Sequence, residues 1–458
     1  MKVRFLNYAT MLGVLFIAVQ QSVVASSTAL IARLTNEIMS DGNYMLWLIL
    51  FVVSLTIVYI PTTLTNYFIN KAKFITFRKY ISDFSGRAYN NPGYYFNRNF
   101  REKKEPYFTH EAWMIIQENY VFIVDILSIF LNVFLNVLVL SIYLDWAFLL
   151  SYLFAVPLSA VCVLISKARL QRKSDSMQKS RNDMMQILNQ GWDTVLIGNK
   201  WNMKHWKRRF FERSKSADDN QRSLALEIDL MSLITLIVSA IPILIVLFMS
   251  FMRASGNIQM LALLIATAPR QVITIQYLSD IVGLFVNLND KVRRTKQLSA
   301  NLDFENTDSK IGGIISWGKI FIEKDGDKQI LESIDSLNKA TNSYSIGRFI
   351  ITGGNGCGKT TLLSKIKEKF GDNAFLLPNQ SKMAFEHDEQ QKEYSTGERT
   401  IKNLNELSEK VCNGDKEISV LLLDEWNANL DKGNTELINF GINSLSEKIC
   451  IIEVLHRA

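Results

Sequence analysis

Six apolar stretches, each long enough to cross a bilayer, constrain this chain more than any other feature of its sequence. They lie at roughly 8–33, 44–68, 121–144, 146–166, 229–252 and 259–288. A helix needs about 20 mostly apolar residues to cross the hydrocarbon core, and every one of these stretches supplies them. The first follows Lys2 and Arg4 and passes Ala25-Ser26-Ser27, features that a cleaved signal peptide shares. With five further spans behind it, it reads as a retained helix.

Charge then sets an orientation. Residues 1–300 carry 32 Lys+Arg against 19 Asp+Glu, whereas residues 301–458 carry 19 against 25. A basic half suggests nucleic acid, but this half also holds the longest apolar runs, so membrane lipid is its expected partner and nucleic acid is not. The segments 71–120 and 167–227 hold nine and fourteen Lys+Arg, while the loops after spans one, three and five hold Arg33, none and Arg253. Basic loops stay on the cytoplasmic side. A multi-pass protein of the cell (inner or plasma) membrane, with both termini cytoplasmic, is therefore expected. The loops 69–120 and 167–227 are too long for connectors and are expected to carry the membrane helices onward before turning. The four cysteines, Cys162, Cys357, Cys412 and Cys450, show no paired metal spacing and imply a reducing compartment.

Several polar residues interrupt the spans. Arg270 and Gln271 follow Pro269 in span six, Gln20 and Gln21 lie in span one, Asn132 and Asn136 in span three, and Asp125 near the start of that span. Polar groups at membrane depth need partners or a wet cavity. For the amides, hydrogen bonds between helices and contact with a transported molecule are both open; Arg270 reads as facing a cavity. Pro61, Pro157, Pro242 and Pro269 predict kinks.

After a polar linker at 289–312 the composition becomes that of a soluble α/β domain, with strands expected at 314–322, 348–352, 374–377, 418–423 and 449–455 in a parallel sheet. Following the apolar run Phe349-Ile350-Ile351, after Thr352, comes Gly353-Gly354-Asn355-Gly356-Cys357-Gly358-Lys359-Thr360, a match to the phosphate-loop pattern G-x-x-x-x-G-K-[ST]. Glycines let successive N–H groups converge on phosphates, Lys359 adds a positive charge, and Thr360 offers a hydroxyl to Mg²⁺. A helix opening at Thr361 adds its N-terminal dipole. ATP with Mg²⁺ is the expected ligand. Further on, the apolar run Ile418–Leu423 ends in Asp424-Glu425: one carboxylate for the metal, the other to activate water.

Together these features resemble an ATP-binding-cassette (ABC) exporter. The resemblance covers the six-span layout with long basic loops and a series of motifs after residue 350. It identifies Asp431, in Ala428-Asn429-Leu430-Asp431, with the family's D-loop, and His456 with its switch histidine. Tyr394-Ser395-Thr396-Gly397-Glu398 corresponds to the family signature, Leu-Ser-Gly-Gly-Gln in its usual form. Ser395 and Gly397 keep the groups that cap a γ-phosphate, whereas Thr396 and Glu398 depart from it. Gln380 resembles the Q-loop glutamine and would join Thr360 and Asp424 at the metal. It falls only 21 residues after Lys359 and 14 before Tyr394, both short for the family. Phe321 is the candidate for stacking on adenine.

The implied fold class is an α-helical membrane domain (1–300) fused to an α/β phosphate-loop nucleotide domain (301–458) with a reduced helical subdomain. The implied activity is ATP-driven transport by alternating access, with Glu425, His456 and Gln380 catalytic. Because the family's signature acts on the phosphate loop of another copy, a second copy of the chain, as a homodimer, is the expected partner. The Ser-Thr-Gly variant suggests export of a small antimicrobial or modified peptide. A lipid or drug exporter, a peptide importer on the same fold, and a membrane regulator or immunity protein that binds ATP without transport are the alternatives.

Overall fold

The structure, a computed structural model, describes residues 3–89, 91–188, 190–254, 256–304, 315–378, 383–385, 396–412, 418–427 and 430–455. By contacts the chain divides into two units, Met1–Ile81 with His110–Ala300, and Ser82–Thr109 with Asn301–Ala458.

The helices run in order as α1 (Tyr8–Met39), α2 (Tyr44–Ile57), α3 (Tyr59–Ala88), α4 (Pro92–Phe96), α5 (Arg98–Thr109), α6 (Glu111–Tyr143), α7 (Ala147–Leu188), α8 (Gly191–Leu196), α9 (Lys200–Arg253) and α10 (Ile258–Ala300). Six of the helices are long and apolar enough to cross a membrane, the second of them continuous from Tyr44 to Ala88 by this measure. All six match the stretches read from sequence. The 42 residues of α7 and 54 of α9 give lengths of about 63 and 81 Å at 1.5 Å per residue, roughly twice a bilayer's hydrocarbon core or more. The basic segment 167–227 is thus mostly helix, turning at α8, where the Trp206 indole donates to the Ile187 carbonyl at 3.0 Å and an added Cβ on Gly191 would meet that ring at 2.9 Å.

Of the four span prolines, Pro61 lies at a helix break. The break between α2 and α3 falls at Val58, and α2 ends at Ile57, the residue whose carbonyl the Pro61 ring would strike in a continuous helix. Pro157, Pro242 and Pro269 stay inside α7, α9 and α10. One reading is corrected: residues 289–300, expected in a polar linker, are the last turns of α10. There Lys291 and Arg294 both reach the Glu118 carboxylate of α6, at 2.5 Å, so the charges hold two helices together.

The second unit contains one six-stranded sheet. Its strands are β1 (Ile320–Lys324), β2 (Asp327–Leu331), β3 (Gly347–Gly353), β4 (Ala374–Pro378), β5 (Val420–Asp424) and β6 (Cys450–Val454), in spatial order β2-β1-β3-β6-β5-β4. Helices α11 (Ile334–Ala340), α12 (Lys359–Phe370), α13 (Thr396–Cys412) and α14 (Lys432–Ser446) complete it. The expected all-parallel sheet is corrected to a mixed one: β3, β6, β5 and β4 are parallel, but β1 runs antiparallel to both β2 and β3. β2 was not foreseen, because Asp327-Lys328-Gln329 is polar and exposed at an edge. The central strands are buried on both faces, which is why they read as unbroken apolar runs. On one face Phe349, Ile351, Leu422 and Ile452 pack with Leu362, Leu363 and Ile366 of α12. On the other, Leu421, Leu423 and Ile451 pack with Leu404 and Leu407 of α13 and Ile438, Ile442 and Leu445 of α14.

Candidate functional site

The site forms where β3 and β5 end on the same edge of the sheet. Register places Ile351 beside Val454 and Val454 beside Asp424, so β6 separates the two strands. The chain leaves β3 through Gly354–Gly358 and enters α12 at Lys359. Gly356 and Gly358 adopt φ of +76° and +97°, where a side chain is strained. Gly353 is glycine for another reason: a Cβ there would lie 2.7 Å from the Lys319 carbonyl oxygen and 2.9 Å from Cys357 Sγ. Gly354, Asn355 and Gly356 are exposed, and Cys357 is buried under the loop.

Lys359 is buried, and its ammonium donates to the carbonyls of Gly353 at 2.9 Å and Gly354 at 3.2 Å, lying across the loop. Thr360 Oγ1 donates to Asp424 Oδ2 at 2.9 Å. Thr361 follows, half-buried on the same first turn. Gly358 caps α12 without a side chain, so the first N–H groups of a 12-residue helix are open to an anion.

Asp424 is buried at 7 % exposure, and among the described residues its Oδ1 has no hydrogen-bond partner. Burial holds its pKa above the ordinary carboxylate value and the Glu425 carboxylate adds to this, while the Thr360 hydrogen bond and the Lys359 charge oppose it. A buried carboxylate oxygen with no donor, next to a threonine hydroxyl, is a set of hard oxygens suited to Mg²⁺. That ion needs only one or two protein oxygens when phosphates supply the rest. Among the described residues no cluster of three or more His, Cys, Asp or Glu forms a metal site. Thr360 Oγ1 and Asp424 Oδ1 could together supply two oxygens to a metal whose other ligands come from elsewhere.

Glu425 follows with φ of +50°, in the left-handed region, its N–H donating to the Val454 carbonyl at 3.0 Å. Beneath it lies a group that motif reading missed. Arg348 of β3 donates to Glu453 of β6 through Nε at 2.8 Å, and to Asn443 at 2.6 Å and Asn439 at 2.7 Å. The Trp426 indole donates to Glu453 Oε2 at 2.9 Å. Burial pushes the Glu453 pKa up, and the Arg348 charge pulls it back. Its one sequence signal was a glutamate inside the apolar run Ile449–Leu455.

Other expected site residues stand apart. Phe321 on β1 carries the Lys328 ammonium over its ring at 4.5 Å, which leaves only the opposite face for stacking. Asp431 is exposed and caps α14, accepting from the Asn434 N–H at 2.7 Å and side-chain amide at 3.0 Å. α13 begins at Thr396, so Gly397 sits in its first turn, as a capping role requires. Gln380, Ser395 and His456 lie outside the described residues.

In the helical unit the span amides bond between helices. Asn132 donates to Gln21 at 2.8 Å, Thr28 to Asn136 at 3.0 Å, and Asn136 to Asn132 at 3.0 Å. Gln20 takes no part in this chain of bonds. Arg270 donates to the Ser27 hydroxyl at 2.9 Å. Comparison of the sequence with models of known protein families, and with curated proteins, found no match.

Proposed function

We propose that this chain is an ATP-driven membrane transporter of the ABC exporter type, working as a homodimer and exporting a small antimicrobial or modified peptide by alternating access. The observation that carries the reading is the Thr360–Asp424 hydrogen bond, 2.9 Å long, between a glycine-rich loop and an acidic strand end. Six apolar helices in the same chain give such a site a membrane to serve. Lys359 would leave the loop carbonyls for the β- and γ-phosphates, and Thr360 and Asp424 would hold Mg²⁺. Bound Mg²⁺ supplies charge stabilisation to the transferring phosphoryl group. Glu425 would orient and deprotonate the attacking water, and the exposed loop N–H groups would exchange solvent for phosphate oxygens.

One feature favours the rival reading of a regulator that binds ATP without transport. β4 ends at Pro378 and α13 starts at Thr396, which leaves little chain for a helical subdomain. The test is ATP turnover by the full chain in bilayers beside a Glu425→Gln variant. Slow turnover in the parent, near-complete loss in the variant and retained ATP binding in both are expected. Equal rates remove Glu425 from its role, and ATP binding without turnover in the parent supports the regulator.

A further inference from the structure

Among the described residues, Arg270 is a strongly basic side chain inside an apolar span whose neighbours leave it with donors to spare. It is the thirteenth residue of α10, about 18 Å along the helix from Ile258 and inside the apolar stretch 259–288. A cation inside an apolar span is costly, so it is expected to face a partner or a functional cavity. Among the described residues its hydrogen-bond partner is the Ser27 hydroxyl, and no carboxylate lies within ion-pair distance. The polar side chains of α1 and α6 do not absorb it: the amides of Gln21, Asn132 and Asn136 and the Thr28 hydroxyl are bonded to one another. A guanidinium has five N–H donors, and Ser27 takes one. The next residue, Gln271, is 2 % exposed, and among the described residues neither of its amide atoms finds a hydrogen-bond partner. Two consecutive residues thus hold unspent hydrogen-bonding capacity inside a span.

We propose that Arg270 is the residue that binds a carboxylate on the transported molecule, making the cargo class a small peptide with a free carboxyl group. The planar fork of a guanidinium matches a carboxylate by paired, charge-assisted hydrogen bonds, and Ser27 fixes the direction in which the fork points. A phospholipid phosphate is the other anion that a guanidinium would bind, and the experiment below separates it from a peptide carboxylate. The proposal rests on the transporter reading, but it concerns binding alone and is tested without nucleotide.

The full chain in lipid nanodiscs is offered two libraries of ten-residue peptides lacking Asp and Glu, one with free C-terminal carboxylates and one amidated. Retained peptides are counted by mass spectrometry. Retention of the free-acid library about tenfold over the amidated one is expected. Arg270→Gln should erase the preference, and Arg270→Lys, which keeps the charge without the fork, should keep part of it. Thermal melting of each variant shows that it is folded. Equal retention of the two libraries, no retention of either, or an undiminished preference in Arg270→Gln overturns the proposal. It fails equally if anionic lipid co-purifies with the parent and is lost from Arg270→Gln. ATP turnover measured separately reports on the transporter reading, so the two can fail independently.

Discussion

The Thr360 hydroxyl donates to Oδ2 of Asp424, whereas the buried Oδ1 of that carboxylate meets no donor among the described residues. Asp424 is therefore a group that its fold keeps poorly solvated in the absence of a cation. Burial raises its native pKa above the ordinary 3.8. The native state holds the proton longer than the unfolded chain does. Its contribution to folding is thus present below the unfolded value and is lost as pH rises through the native one. Replacing Asp424 with Asn keeps the shape and removes the charge. The melting midpoint of the unliganded Asp424→Asn protein at neutral pH should exceed that of the parent, while protection by Mg²⁺ with ATP should vanish. A midpoint at or below the parent's would show that the carboxylate is not under this strain.

Glu425 holds a left-handed backbone at φ of +50°. For a non-glycine residue this conformation costs about 1–2 kcal/mol. Glu425→Gly should therefore stabilise the protein by about 1 kcal/mol in denaturant unfolding, even though it removes the proposed base. A Glu425→Ala variant, which keeps the strain, should show no such gain. The pair separates backbone cost from side-chain chemistry; equal stability of the two would mean the strain is relieved elsewhere.

Much of this was legible in the sequence where chemistry and spacing coincide. The loop Gly353–Thr360 fixes its own geometry through its glycines, and the six spans announce themselves by length. What lay hidden depended on partners distant in sequence. Arg348 and Glu453 are 105 residues apart, and only the parallel pairing of β3 with β6 brings them together. β2 is polar and became a strand because β1 pairs with it. Residues 289–300 looked like a linker because their charges are dense, yet those charges bond to Glu118 across a helix interface.

The Arg348–Glu453 pair makes a further prediction. Glu453 is fully buried and carries bonds from both Arg348 and Trp426. Removing one member of a buried pair strands the other charge, at a cost of about 3–5 kcal/mol. Arg348→Met should lower stability on that scale. The double variant Arg348→Met with Glu453→Met should recover a large part of the loss in denaturant unfolding, because apolar groups replace both charges. Additive losses would mean that the pair does not act as a unit.

The last prediction concerns α4, which packs against α12, the helix that opens with Lys359 and Thr360. Phe96, at the end of α4, packs on the apolar cluster formed by α12 and the sheet, and the Tyr89 hydroxyl bonds to Asp372 just beyond α12 at 2.5 Å. Phe96 is half-buried, so its truncation removes apolar contact from a site that solvent partly reaches. Phe96→Ala should cost about 1–2 kcal/mol in denaturant unfolding of the full chain, and Phe96→Leu less. Tyr89→Phe, which deletes only an exposed hydroxyl, should cost little beside it. If Phe96→Ala leaves the unfolding curve unchanged, α4 does not share the stability of the sheet. Residues 82–109 would then be only resting on a unit that folds without them.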